Sequence, residues 1–188
     1  VARRLKDAGY RFEIEMIGTG GMEQQLRQQA LEAGLLNENV QFLGSMSPED
    51  VRAHMEKAGI YLLTSDRREG WGSVLNEAMN SGCAVVASDT VGATPYLVEN
   101  GRNGSVYHSG DIQELYEKVR RLLENTAVQH SYGKAAYRTI TELWNAENAA
   151  KRFLQLSQAL LNGTDASRLF ADGPCSPAKP LREDWYQK

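Results

Sequence analysis

The chain has 188 residues, of which 41% are hydrophobic, and its formal net charge is −3 at pH 7. This length and composition suit one domain with a sizeable core. The slightly acidic charge gives no argument for binding nucleic acid or an anionic membrane surface. No apolar run is long enough to cross a bilayer and no secretory signal is visible, so we expect a cytoplasmic protein without a transmembrane segment.

Strands and helices alternate along the predicted chain. The predicted elements, in order, are the end of a helix (1–9), a strand (12–17), a helix (22–33), a strand (40–43), a helix (49–57), a strand (60–64), a short helix (73–81), a strand (84–87), a short helix (95–99), a strand (104–107) and a helix (111–125). This alternation predicts an α/β fold with a doubly wound, Rossmann-like parallel sheet.

The last third of the chain is predicted to be helical and then irregular. The helix 111–125 is amphipathic, and its expected buried face is Ile112, Leu115, Val119, Leu122 and Leu123. The segment 130–133 interrupts the helical pattern, and one or two helices follow within 134–161. The polar, proline-containing segment after 161 predicts a domain of residues 1–161 followed by a C-terminal tail of residues 162–188.

Neither the cysteines nor the histidines form a cluster with catalytic or metal-binding spacing. Cys83 opens an apolar strand and is expected to be a buried small side chain in a reducing compartment, far from Cys175. His54, His108 and His130 have no nucleophilic partner nearby. No Asp-x-Asp motif stands where a cation could serve a diphosphate, so we expect no metal and no cofactor.

Three loops follow strands of the predicted sheet. The first contains Gly18 and Gly20, the second Gly44 and Ser45, and the third Glu69. Because ligands bind at the carboxyl ends of parallel strands, we expect the three loops to converge on one cleft. The Gly18 turn lacks the full G-x-G-x-x-G spacing, and a plain tight turn is the other interpretation.

The third loop leads into a short helix that is suited to holding a phosphate. Gly70 and Gly72 permit backbone conformations closed to other residues and close approach of a ligand. The helix is predicted to begin near Ser73, which leaves the amides of Ser73 and Val74 free for an anion.

Two carboxylates flank these amides. Glu69 precedes the helix and Glu77 lies about one turn inside it, so both can accept hydrogen bonds from hydroxyl groups beside a bound phosphate. This chemistry is that of a nucleotide-sugar site. The alternative is that Glu69 is a solvated loop acid and Glu77 a surface helix residue, since helix starts are rich in acids.

The run from Glu69 to Glu77 resembles the E-x7-E signature of the retaining GT-B glycosyltransferase family 4. Ile60-Tyr-Leu-Leu-Thr-Ser65 resembles the family's preceding strand, and Cys83-Ala-Val-Val-Ala-Ser88 resembles its G-x-P-V-V-A-S strand with Cys83-Ala84 in place of the usual Pro. Asn100-Gly-Arg-Asn-Gly104 resembles its xxGxxG turn. The similarity covers residues 1 to about 160.

The resemblance implies the C-terminal, donor-binding half of a retaining hexosyltransferase in glycan or cell-envelope biosynthesis. Glu69 would be the catalytic-site acid on the donor hexose, and Glu77 would hold the ribose hydroxyls. The donor would be a nucleotide diphosphate sugar, with UDP or GDP as the first candidates. The other implied donor-binding residues are Gly70, Trp71, Gly72, Ser73, Val74, Gly18, Gly20, Gly44 and Ser45.

The chain also departs from the family. Members carry an Arg and a Lys before the first helix of this domain, and Arg3 and Arg4 do not have that spacing. The resemblance implies a first strand and an N-terminal domain, which would bind a glycan or lipid-linked acceptor, and we expect both to lie outside this chain. The resemblance therefore implies a fragment that transfers no sugar alone, taken from an enzyme that is cytoplasmic or peripheral at the inner face of a membrane. The helix after Trp144 would cross to the missing domain and leave its apolar face partly bare.

Three other interpretations remain open. A GT-B-like nucleotide-sugar epimerase shares the half-fold, although the G-W-G core of the signature argues for the transferase. A non-catalytic nucleotide-sugar binding module is the second. A dinucleotide-binding oxidoreductase domain is the third, and the missing glycine fingerprint argues against it.

Overall fold

The computed structural model describes residues 1–178, 180–182 and 185–187. Its helices are α1 Ala2–Asp7, α2 Glu23–Glu32, α3 Pro48–Lys57, α4 Ser73–Asn80, α5 Thr94–Leu97, α6 Ile112–Glu124, α7 Thr126–Arg138 and α8 Ala146–Leu161, with a π-helical turn at Thr139–Leu143. Its strands are β1 Ile14–Ile17, β2 Val40–Gly44, β3 Ile60–Leu63, β4 Ala84–Ser88 and β5 Gly104–Tyr107. The strands pair in parallel, which confirms the predicted α/β, doubly wound fold.

The strands form two sheets where the sequence predicts one. β1 pairs with β2, and β4 lies between β3 and β5. Within the described residues no ladder joins β1 to β3. β1 and β3 are therefore edge strands of their sheets, and each pairs on one side only with a described strand.

Alternate residues of β4 build the core on the two faces of its sheet. Val85 and Ala87 belong to one buried cluster, and Ala84 and Val86 belong to another. This follows from the strand geometry, in which successive side chains point to opposite faces. α4 contributes to the first cluster, whereas α1 and α6 contribute to the second.

The predicted interruption at 130–133 is wrong, because α7 runs through this segment without a break. Gly133, which suggested a helix breaker, is buried against the backbone of Gly82. A Cβ atom at Gly133 would lie 2.1 Å from the Gly82 carbonyl oxygen. The glycine therefore permits close packing of a helix, and His130 lies on this helix and not in a loop.

The expected buried face of α6 is correct except for its first residue. Val119 and Leu122 are buried, whereas Ile112 is exposed. Ile112 occupies the first helical position, directly after the N-cap Asp111. It therefore lies at the end of the helix and not over the sheet.

Two features distinguish the C-terminal part. α8 has no buried residue, and its exposed apolar side chains include Phe153, Leu154 and Leu160, so its apolar face is partly bare as expected. Beyond α8, Tyr186 is buried and its carbonyl oxygen accepts a hydrogen bond from Asn100 Nδ2 at 3.0 Å. The described residues form no helix that could span a bilayer.

Candidate functional site

The loop after β3 begins with a turn stabilised by Asp66. Its carboxylate accepts the N–H of Arg68 at 2.9 Å and pairs with the guanidinium at 2.8 Å, and that guanidinium holds the pKa of Asp66 below its usual value. The carbonyl of Asp66 accepts the N–H of Glu69 at 3.0 Å. An open cavity of about 390 Å³ lies here, lined by Thr64, Ser65, Asp66, Arg68 and Glu69.

Gly72 is the residue at which this loop becomes a helix. Its φ is +79°, in the left-handed region that favours glycine. A Cβ atom at this position would also lie 2.8 Å from Cγ1 of Val91. The predicted need for glycine is therefore confirmed at Gly72, but Gly70 does not adopt a positive φ.

The segment after β4, in which the sequence shows no functional motif, holds the Glu69 loop in place. The N–H of Gly92 donates to the carbonyl of Gly70 at 3.0 Å, and the N–H of Ala93 donates to the carbonyl of Trp71 at 2.8 Å. A Cβ atom on Gly92 would lie 2.2 Å from the Gly70 carbonyl oxygen. Only a bare backbone fits there, and the sole sequence signal was an isolated glycine between a strand and a short helix.

The start of α4 offers a row of backbone donors. The first hydrogen bond of the helix runs from the N–H of Leu75 to the carbonyl of Gly72, at 2.9 Å, and no side chain caps the helix. Within the described part of the chain, nothing accepts a hydrogen bond from the amides of Gly72, Ser73 or Val74. Such amides, at the positive end of the helix dipole, can hold an anion.

Glu69 and Glu77 stand on either side of these amides along the chain. Glu69 is half-buried, and its Cγ lies beside Gly72, whereas Glu77 is exposed on α4. Both lie near Tyr61: burial raises the pKa of this phenol, and the negative charges of Glu77 and Glu69 raise it further. Neither glutamate forms an ion pair with any described residue, so both are free to accept hydrogen bonds from a ligand.

The other two loops meet each other. The N–H of Gly18 donates to the carbonyl of Gly44 at 2.7 Å, and the hydroxyls of Thr19 and Ser45 lie 3.2 Å apart. Gly20 lies in the turn before α2, where its carbonyl accepts a hydrogen bond from Glu23. In the part of the chain that is described, no hydrogen bond joins this pair of loops to the Glu69 loop, so their convergence on one cleft stays a prediction.

The remaining candidate groups have structural partners. His54 pairs with Glu15 at 2.9 Å and His108 with Asp89 at 3.0 Å. The Cys83 thiol is buried, donates to the carbonyl of Met55 at 3.1 Å, and has its pKa raised to about 11 by that burial. The described residues contain no group of three or more His, Cys, Asp or Glu side chains that could hold a metal ion.

Sequence comparisons identify a family and longer relatives. The family model described as "Glycosyl transferases group 1" matches residues 1–139. Amylovoran biosynthesis glycosyltransferase AmsK of Erwinia amylovora is 35% identical over 130 residues, which are 66% of this chain and 31% of AmsK. The chain spans less than half the length of the curated relatives it matches.

Solved structures share the fold. HepE of Anabaena, determined in complex with UDP, superposes with a TM-score of 0.67 and 27% identity, covering 80% of this chain and 41% of HepE. The C-terminal domain of LpcC, a glycosyl transferase group 1 family protein from Francisella tularensis, superposes with a TM-score of 0.61 at 18% identity. That alignment covers 75% of this chain and 91% of the LpcC domain, and it concerns the fold alone.

Proposed function

The chain belongs to the glycosyl transferases group 1 family, and we propose that it is the donor-binding half of a retaining family 4 glycosyltransferase. The full-length enzyme transfers a sugar from a nucleoside-diphosphate sugar to a glycan or lipid-linked acceptor in glycan or cell-envelope biosynthesis, in the cytoplasm or at the inner face of a membrane. The observation that carries this proposal is the row of unpaired amides at the start of α4, flanked by Glu69 and Glu77.

The diphosphate is proposed to bind at these amides. Ser73 and Val74 donate their N–H groups to phosphate oxygens, and the dipole of α4 favours the negative charge. When the sugar leaves, charge develops on the diphosphate. Donors that are already in place stabilise that charge without reorganisation, which is a large contribution to catalysis.

The two carboxylates have separate proposed roles. Glu77, exposed on α4, accepts hydrogen bonds from the ribose hydroxyls, and Glu69 contacts hydroxyls of the donor sugar at the reacting end. The backbone of Gly70, Trp71 and Gly72 contacts the same sugar. Retention with attack and departure on one face depends on positioning and charge stabilisation, which this set of groups can supply.

The base is proposed to lie near the paired loops of Gly18, Gly20, Gly44 and Ser45. The hydrogen bond between Gly18 and Gly44 joins these loops at the carboxyl ends of β1 and β2. UDP is the first nucleotide to test, because HepE, the 27% identical structural relative, was determined with UDP. No metal or other cofactor is part of the proposal.

β1 and β3 each have one edge that pairs with no described strand, and this supports a further part of the proposal. A strand between them would complete one continuous sheet, with α1 covering it on the face where Leu5 packs. We propose that this strand and an acceptor-binding domain belong to the full-length enzyme. The domain of residues 1–161 with its tail therefore binds donor weakly and transfers no sugar alone.

Thermal melting of the purified chain with UDP, GDP, ADP and their common sugars tests the proposal. A ligand at about 100 times its Kd stabilises the folded state by about 2.7 kcal/mol, and each kcal/mol raises the Tm of a chain of this size by about 2–4 °C. The shift should disappear in Glu77→Ala and persist in Glu117→Ala, which alters an exposed glutamate on α6. The proposal would be overturned if none of these nucleotides raised the Tm of this chain or of the full-length enzyme.

A further inference from the structure

Three aromatic rings, Trp71, Tyr96 and Trp144, form a cluster beside the Glu69 loop. The ring centroids of Trp71 lie 5.7 Å from Tyr96 and 5.9 Å from Trp144, and those of Tyr96 and Trp144 lie 6.3 Å apart. All three separations fall in the range of favourable aromatic pairs. The cluster joins three parts of the chain that are distant in sequence: the loop, α5 and the segment before α8.

The ring of Trp71 is held by one hydrogen bond and lies beside the two other rings. Its side chain is 42% exposed, so its packing comes from few neighbours. The indole N–H donates to Asn76 Oδ1 at 2.9 Å, which fixes one end of the ring to α4. The ring is tilted by 31° to Tyr96, which is itself 43% exposed, and by 41° to Trp144.

Trp144 is the most firmly held member. It packs against the main core cluster, and its N–H donates to the carbonyl of Thr139 at 3.0 Å, at the end of the π-helical turn. The next residue, Asn145, caps α8 by accepting the N–H of Asn148 at 2.8 Å and donates from its side chain to the carbonyl of Thr141 at 2.8 Å. π-helical turns often occur at functional sites, and here one sets the position of an aromatic ring.

We propose that Trp144 is a positioning residue for the Glu69 loop, to which the proposed function assigns donor binding. Gly70 and Gly72 have no side chains with which to pack. Within residues 70–72, the ring of Trp71 is therefore the only side chain that can hold the loop by packing. By packing on that ring, Trp144 keeps the carbonyls of Gly70 and Trp71 against the amides of Gly92 and Ala93. This arrangement directs the free amides at the start of α4 toward the donor.

The role assigned to Trp144 rests on the proposed function, but its central step can be measured without nucleotide. Hydrogen exchange of the Gly92 and Ala93 amides reports whether the loop is docked, because each amide is held by a loop carbonyl. In Trp144→Ala we expect both amides to exchange roughly tenfold faster, as the loss of one aromatic pair implies. The amide of Asp89, which donates to the carbonyl of Tyr107 at 3.0 Å, is the internal reference, and its exchange rate should not change.

Matched variants separate positioning from general loss of packing. Trp144→Phe keeps a ring and should restore slow exchange, whereas Trp144→Leu keeps apolar volume without a ring and should not. Trp185→Ala removes a tryptophan from the other aromatic pair, 5.6 Å from Tyr186, and should leave Gly92 and Ala93 unaffected. If Trp144→Ala does not fold, the comparison of the Leu and Phe variants decides the matter. Equal exchange in those two variants overturns the proposal.

Nucleotide affinity is the second measurement. With UDP as the probe, the Kd of Trp144→Leu should rise about tenfold and that of Trp144→Phe should stay near the wild-type value. A wild-type chain that binds UDP, with a Leu variant of unchanged Kd, overturns the positioning role. If the wild-type chain and the full-length enzyme bind no nucleotide, the proposed function fails, and the exchange data still decide whether Trp144 docks the loop.

Discussion

The carbonyl oxygen of Gly70 accepts a hydrogen bond from the N–H of Gly92 at 3.0 Å, and a Cβ atom on Gly92 would lie 2.2 Å from that same oxygen. The backbone of one loop thus lies directly on the backbone of another. The loop that follows β4 therefore fixes the backbone of the loop that follows β3. Because that loop leads directly into α4, the same contact orients the amides at the start of the helix.

Replacing Gly92 with alanine should displace the Glu69 loop. The added methyl group overlaps a backbone carbonyl, which has little room to move, and overpacking of this kind costs about 1–3 kcal/mol. We expect the free energy of unfolding in urea to fall by that amount and UDP affinity to fall with it. Gly21→Ala is the control, because Gly21 has open space around it and no positive φ; equal stability of the two variants would contradict this account.

Replacing Glu69 with glutamine should reduce turnover more than donor binding. The amide keeps the size of the side chain but removes the negative charge that is proposed to act at the reacting end of the sugar. In the full-length enzyme we expect kcat to fall by about a hundredfold or more, with a smaller change in the KM for donor. Glu117→Gln makes the same change at an exposed glutamate on α6 and should leave kcat unchanged. Normal kcat in Glu69→Gln would remove Glu69 from the mechanism.

Replacing Gly133 with alanine should destabilise the whole domain. A Cβ atom there would lie 2.1 Å from the carbonyl oxygen of Gly82, so α7 must move away from the turn before β4. We expect a loss of about 1–3 kcal/mol in urea unfolding. Alanine is the better helix former, so a stabilised variant would show that the helix does not pack as described. Ala135→Gly is the control at a less buried position of the same helix. There the loss of alanine should lower stability, because helix propensity and not packing decides the outcome.

The buried thiol of Cys83 should be unreactive and should make stability depend on pH. Its pKa is raised to about 11 because burial disfavours the thiolate. In the native state a thiol reagent should label Cys175, which is partly exposed, and not Cys83. Because the folded-state pKa lies above the unfolded value, the protonated thiol contributes stability below pH 9 that is lost as pH rises toward 11. Between pH 9 and 11 the free energy of unfolding should fall more in the wild type than in Cys83→Ala. Equal losses in the two proteins would argue against a buried, protonated thiol.

Local sequence patterns predict most elements of this fold and part of the site. The Ser47-Pro48 start of α3, the glycine at Gly72 and the burial of Cys83 all follow from preferences of single residues or short segments. The spacing of Glu69 and Glu77 places both carboxylates beside the start of α4 because it spans one loop and one helical turn.

Contacts between distant segments required the tertiary structure. Gly92 and Gly133 each lie against a backbone carbonyl that is far away in sequence, so neither local propensity nor periodicity reveals why they are glycines. The division into two sheets and the packing of Trp144 on Trp71 have the same origin. The sequence by itself therefore determined most of the segments that form helices and strands, and the order of the acidic residues and helix-start amides along the chain. Only the tertiary structure decided which segments hold that site in shape, because packing depends on distances that the order of residues does not contain.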